Sequence, residues 1–329
     1  MKSKRIEYID IARGITIFLV VLGHSYSEEN VILQWLYSFH MPFFFIISGL
    51  LYGLKYNSSD KLSFGWKEKA KSLLLPYLFW GFVFQMFLWT LEIIGGVPIL
   101  ETFKMRMGTF FELSSGPMWF LPCMFIATLI FIIISQKKKW IHIGVTILLL
   151  GIGMYAPEPA HIGFLYRAFI GNFFICFGFY SYKIFRKVIN NILFALIGLI
   201  SLFLIFQNET VSIAARSFGN PILYIVNGCL GTWVLIQLCM KLELSKLSAC
   251  KVLQILKLWG AKSVVILCTH SCIIEILRLL DYKIFNNVLP KLGIGEGFAL
   301  SFMVMSIITI FMPILIRLFG WTWGFKKKA

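Results

Sequence analysis

Ten apolar runs separated by short polar loops leave this chain very few possible folds. Runs long enough to cross a bilayer as helices fall at roughly 10–27, 31–53, 73–94, 118–135, 141–156, 163–182, 189–207, 221–240, 263–280 and 298–319. Inside hydrocarbon each backbone N–H and C=O must find its partner within the protein, which a helix achieves on its own. The sequence therefore predicts an all-α fold, a polytopic integral membrane helical bundle of about ten transmembrane helices. The fifth, seventh and ninth runs are short or interrupted, so the pattern also admits nine or eleven. With 59% of its residues hydrophobic and 14% charged, the chain lacks the polar groups to cover a soluble surface.

Positive charge orients the spans. Lys2, Lys4 and Arg5 precede the first run, and Lys55, Lys61, Lys67, Lys69 and Lys71 fall between the second and third. Every second loop after that is also basic, with Lys137 to Lys139, then Lys183, Arg186 and Lys187, then Lys241, Lys246, Lys251, Lys257 and Lys262, and finally Lys326 to Lys328. The intervening loops hold only Lys104, Arg106, Arg216, Lys283 and Lys291, and most of the acids. This asymmetry predicts both termini in the cytoplasm and a multi-pass protein of the cell (plasma) membrane. The net charge of +16 is thereby assigned to cytoplasmic loops in contact with membrane lipids rather than to nucleic acid, for which no motif is present. The seven cysteines show no CxxC or metal-ligand spacing. Asp10 and Arg13 inside the first run argue against a cleavable signal. The longest loops run about 20 residues, so a single transmembrane domain over 1–329, with no extramembrane catalytic domain, is expected.

Ionisable residues within spans are costly and mark candidate functional sites. The first span contains Asp10, Arg13 and His24. Asp10 and Arg13 are neighbours on one helix face, where a structural ion pair is the bland alternative. Arg13 and His24 are eleven residues apart, about 16 Å along the axis and on nearly the same face. His40 opens His40-Met41-Pro42-Phe43-Phe44-Phe45-Ile46-Ile47-Ser48-Gly49, in which Pro42 is expected to loosen the helical ladder. His270 lies in the ninth span, so three histidines from three spans reach overlapping depths. They could bind a metal, but no usual ligand spacing supports one. A base with a pKa near 6.5 suits removal of a proton from a hydroxyl. Glu275 and Arg278 could pair across one turn, and Arg167 and Asn172 in the sixth span suit interhelical polar contacts. Trp119, in Met118-Trp119-Phe120-Leu121-Pro122, suits an interfacial belt. Lys69 and Lys71, at the mouth of the third span, fit generic cytoplasmic positive charge equally well, and with Arg13 nearby they would also make an anion site for phosphates.

These segments resemble the integral-membrane acyltransferase family 3, and within it the fucose 4-O-acetylase-like branch. The likeness rests on Arg5-Ile6-Glu7-Tyr8-Ile9-Asp10-Ile11-Ala12-Arg13-Gly14 and Val21-Leu22-Gly23-His24-Ser25, then Phe39 to Gly49, Lys69 to Trp80, Met118 to Pro122 and Thr269-His270, in order along essentially the whole chain. The resemblance implies transfer of an acyl group, usually acetyl from acetyl-CoA, to a hydroxyl of an extracytoplasmic or lipid-linked glycan. It matches His24 to the essential histidine and Arg13 to the arginine serving the acyl-CoA donor. The family's Arg-x-x-Arg before the third-helix proline reads here as Lys69 and Ser72, with Lys71 beside them.

The resulting expectation is a membrane O-acyltransferase, an O-acetyltransferase in the first instance, working with polysaccharide-synthesis proteins. His24 would act as the base. His40, His270 or Ser48 would orient it or stabilise the oxyanion. Arg13, Lys69 and Lys71, with Asp10 beside Arg13, would hold the donor, and no metal is required. The alternative is a transporter or flippase of a glycan or small solute, against which the lack of a convincing internal repeat counts.

Overall fold

In the computed structural model, which describes residues 6–56, 65–157, 161–245 and 249–325, each apolar run forms a helix. The helices are α1 (Glu7–Ser25), α2 (Val31–Tyr37), α3 (His40–Tyr56), α4 (Trp66–Lys69), α5 (Phe82–Ile94), α6 (Ile99–Phe111), α7 (Phe120–Ser135), α8 (Lys139–Tyr155), α9 (Gly163–Phe185), α10 (Asn191–Phe206), α11 (Pro221–Leu244), α12 (Lys251–Ala261), α13 (Ser263–Ile284) and α14 (Ile294–Phe319). Among the described residues, eight helical stretches are long and apolar enough to cross a membrane, and α8 and α10 are shorter apolar helices. Two of the three runs flagged as short, the fifth and seventh, are these shorter helices, whereas the ninth is the continuous α13. Among the described residues there is no strand, only an isolated bridge between Ser212 and Ser217. Lys2, Lys4, Arg5, Lys61, Lys246, Lys326, Lys327 and Lys328 lie outside the described residues.

Two helices were not anticipated. α6 fills the loop after the third span. α12 lies between the eighth and ninth spans and packs closely along α1. Glycines permit that approach: a Cβ on Gly14 would sit 2.0 Å from the Leu256 carbonyl oxygen, and one on Gly260 would sit 1.8 Å from that of Asp10. The same device joins α3 to α9, where a Cβ on Gly49 would meet the Ile175 oxygen at 1.9 Å. α1 contacts α3, α11, α12, α13 and α14, and α9 contacts α3, α7 and α8, so α3 links the two groups.

Pro42 does not interrupt a helix. The break falls one turn earlier, at Ser38 and Phe39, and α3 starts at His40, which leaves Pro42 in the first turn, where its missing N–H has no helical partner to lose. Pro76 acts differently. It lies between two π-helical turns, Ala70–Leu74 and Tyr77–Gly81, and the widened ladder, with Leu75 N–H donating to the Ala70 carbonyl, accommodates its ring.

Loops assigned to one side by charge meet one another at one end of the bundle. Lys257 donates to Glu7 at 2.5 Å, Lys241 to the Ile189 carbonyl at 2.7 Å, and Lys262 lies over the Phe325 ring at 3.8 Å. At the other end Ser27 donates to Glu296 at 2.7 Å, Gln34 to the Asn208 carbonyl at 2.5 Å, and Arg216 to the Ala156 carbonyl at 2.8 Å. The chain therefore alternates between ends as the spans require.

Candidate active site

α1 carries ionisable groups at both ends. Glu7 and Asp10 occupy its first turn, where they complement the helix dipole, His24 stands uncharged in its last turn, and the buried face between them is Ile17, Val20, Val21 and their neighbours. Arg13 points into two adjoining cavities, of about 250 and 710 Å³, which share Arg13, Ser48, Lys69 and Ser72 as walls. The larger adds Lys55, Glu68 and Tyr52, with Lys69 Nζ 5.3 Å over the Tyr52 ring. The smaller runs deeper between Ile17, Val20, Phe44, Leu121 and Leu267. A basic mouth leading to an apolar slot suits a polyanion with a long, weakly polar arm. The π turns matter here, because they set where Lys69 and Ser72 face.

His24 opens into a third cavity, of about 450 Å³, at the opposite end. Trp119, Arg167, Ser271, Glu275 and Arg278 line it, with Ser114, Gly116 and Ala214 from the loops. The His270 ring lies 5.3 Å from that of His24 and is fully buried. His270 Nδ1 donates to the carbonyls of Ile266 and Leu267, each at 3.0 Å, which leaves Nε2 to accept from Ser271 Oγ at 3.3 Å. The His24 side chain makes no hydrogen bond among the described residues, so both ring nitrogens remain available to a substrate.

The smaller Arg13 cavity and the His24 cavity are separated by a single helical turn. Val20 lines one and His24 the other; Leu267 lines one and Ser271 the other; Phe120 and Trp119 divide in the same way. Residues four apart on a helix are about 6 Å apart along its axis. A group seated in the apolar slot therefore lies close to the histidine facing the far cavity.

Over residues 6–318 the sequence matches the acyltransferase-domain profile of acyltransferase family 3. The chain belongs to that acyltransferase family. It is also 33% identical over 144 residues to Nodulation protein NolL of Mesorhizobium japonicum, covering 40% of this chain and 36% of that protein. Against Nodulation protein NolL of Sinorhizobium fredii it is 32% identical over 146 residues, covering 40% and 38%. The matched stretch is thus under two fifths of each relative's own length. No solved structure matches the chain.

In this family member the expected site residues divide between the two ends. Arg13 and Lys69 share the basic mouth, and His24 and His270 come together. Ser48 stands with Arg13 and Lys69, not with His24. His40 is buried and lines none of the three cavities; its Nδ1 donates to the Leu36 carbonyl at 2.7 Å. It packs at a tilt beside Tyr37, at 5.1 Å between centroids, and Tyr37 Oη donates to the Gly23 carbonyl at 3.2 Å. Support from His40 reaches the His24 backbone through Tyr37, which the sequence reading missed. Lys71 is exposed and lines none of these cavities, and Asp10 meets α12 through its backbone. Asn172 donates to Thr146 at 3.4 Å between α9 and α8, the interhelical contact expected of it. Among the described residues no group of three or more His, Cys, Asp or Glu is placed to hold a metal ion.

Proposed function

We propose that this chain is a membrane O-acyltransferase, and specifically an O-acetyltransferase of the fucose 4-O-acetylase-like branch, acting on a hydroxyl of an extracytoplasmic or lipid-linked cell-surface glycan. The observation that carries the reading is the one-turn wall between a basic, apolar-floored slot and the cavity onto which His24 opens. The Arg13 end faces the cytoplasm, following the lysine-rich loops. Arg13, Lys55 and Lys69 hold the phosphates of the acyl-CoA there, and the apolar slot guides its arm so that the thioester reaches His24. His24 accepts the proton of the acceptor hydroxyl as the oxygen attacks the thioester carbon. The C–S bond then breaks, and the leaving thiolate takes that proton. His270, locked by its two backbone carbonyls, packs against His24 and fixes its orientation.

Purified chain supplied with acetyl-CoA and a glycan acceptor is expected to transfer acetyl. His24→Ala is expected to lower kcat by about 10²–10⁴-fold, the usual cost of losing a general base, with little change in the KM for acetyl-CoA. Full kcat in folded His24→Ala would remove the assigned base. Unchanged acetyl content in all surface glycans of a strain lacking the gene would count against the reaction itself.

A further inference from the structure

The cavity beside His24 carries charge that acyl transfer does not use. Arg278 Nε and Nη2 are both buried and have no hydrogen-bond partner among the described residues. Glu275, one turn away on α13, lines the same cavity but makes no ion pair with Arg278, against the sequence expectation. Arg167 enters from α9; its Nη1 donates to Ser114 Oγ at 3.5 Å and its guanidinium lies 5.9 Å from the Trp119 ring centroid. Two guanidiniums thus face one carboxylate. A buried guanidinium with unmet donors is costly, and evolution tolerates it where a ligand supplies the acceptor oxygens. The donor's phosphates do not reach this site, because their basic mouth is at the far end of α1.

We propose that this cavity binds an oxyanion of the acceptor, a sugar carboxylate or a phosphate, through the guanidinium fork of Arg278. This rests on the acyltransferase reading and narrows it from any surface glycan to an anionic one. The two donors of the fork match the two oxygens of either group, which fixes the orientation of the sugar as well as its presence. Trp119 supplies a flat wall for the ring, and Glu275 an acceptor for neighbouring hydroxyls. With the anion held at Arg278, the hydroxyl facing His24 is selected by geometry. Arg278 is in this account a binding and positioning residue and has no role in proton transfer.

The probes are glucuronate, glucose 1-phosphate and neutral glucose, titrated at constant ionic strength against the purified full chain, with thermal stability as the readout of binding. One or both anions are expected to stabilise the chain at concentrations at least about tenfold below glucose, and the anion that does so distinguishes an acidic sugar from a sugar phosphate. Arg278→Gln is expected to weaken the anion by about 10–100-fold and to leave glucose unchanged, while Arg278→Lys falls between. If Arg278→Gln does not fold, the wild-type preference for anion over glucose and the Arg278→Lys value decide. Equal or absent responses to all three probes, or undiminished anion binding in folded Arg278→Gln, would overturn the inference. Acetyl transfer measured on the same samples separates the two proposals. Anion binding that depends on Arg278 in a chain that transfers no acetyl defeats the acyltransferase reading alone. Transfer with an unchanged acceptor KM in Arg278→Gln defeats the anion site alone.

Discussion

Replacing Gly260 with alanine makes the contact between α12 and α1 measurable. The added Cβ would sit 1.8 Å from the Asp10 carbonyl oxygen, whereas ordinary contact begins near 3.4 Å, so α12 must move away from α1 by about 1.6 Å, the difference of the two. Overpacking of a close contact costs about 1–3 kcal/mol. Alanine regains up to about 1 kcal/mol over glycine through helix propensity. The net expectation is a destabilisation of up to about 3 kcal/mol. Gly260 also borders the smaller Arg13 cavity, together with Ala261 and Arg13. A misplacement of about 1 Å at a reacting geometry can cost about 100-fold, so kcat/KM for acetyl-CoA should fall by about 10–100-fold. Thermal unfolding in detergent and steady-state kinetics, both per folded molecule, give the two readouts. Gly144→Ala in α8 is the control, since its Cβ would meet nothing within 4 Å. That variant should gain stability. Gly260→Ala that gains stability to the same degree, with normal kinetics, would refute the argument that α12 is seated against α1 by glycine contact.

Arg13→Ala and Lys69→Ala should each raise the KM for acetyl-CoA, by about 10-fold or more for the loss of a charge-assisted phosphate contact, while Lys71→Ala should leave kinetics within twofold because Lys71 lines none of these cavities. Equal effects of the three lysine and arginine changes would show a diffuse charge effect instead of a site. In a Cys250→Ser background, which removes the exposed thiol, cysteines placed at Lys137 and Asn286 should react with impermeant reagent from opposite faces, Asn286 from outside intact cells. Labelling of both from one face would break the alternation of spans.

The spans were legible because a bilayer imposes a length and an apolarity that a single run must satisfy alone. α12 was not, because it is too short to span and its Lys251 and Lys257 read as one more basic loop. Its dense apolar residues, Leu253, Leu256 and Trp259 among them, were the available signal. Overlapping depth was legible for the histidines, and the rings of His24 and His270, on uninterrupted helices, lie 5.3 Å apart. The seat of His40 was not legible, because the turn at Ser38 and Phe39 starts α3 at His40 itself and places the ring beside Tyr37, where its Nδ1 donates back to the Leu36 carbonyl in α2. Ser48 was assigned to the wrong end for a simpler reason: eight residues beyond His40 on α3 is about 12 Å along the helix, enough to reach the donor side. The grouping of Arg278 with Arg167 depends on loops at Gly116 and Ala214, whose positions no periodicity encodes.

The wall of one turn between the two cavities has an electrical consequence. Cavities open to water at each end carry bulk dielectric deep into the bundle, so a potential imposed across it drops mainly over the few ångströms between Val20 and His24 instead of over the about 30 Å of a bilayer's hydrocarbon. In the proposed transfer, the proton taken from a hydroxyl on one side leaves with a thiol on the other while the acyl group passes the opposite way, so neutral reactants become neutral products and no net charge crosses. The position of the acyl-transfer equilibrium is therefore indifferent to the membrane potential. Only a step that holds proton and acyl group apart, such as the protonation of His24, senses the focused field, at up to about 2.3 kcal/mol per elementary charge per 100 mV. The membrane potential thus bears on the rate alone, through a barrier three side-chain pairs wide.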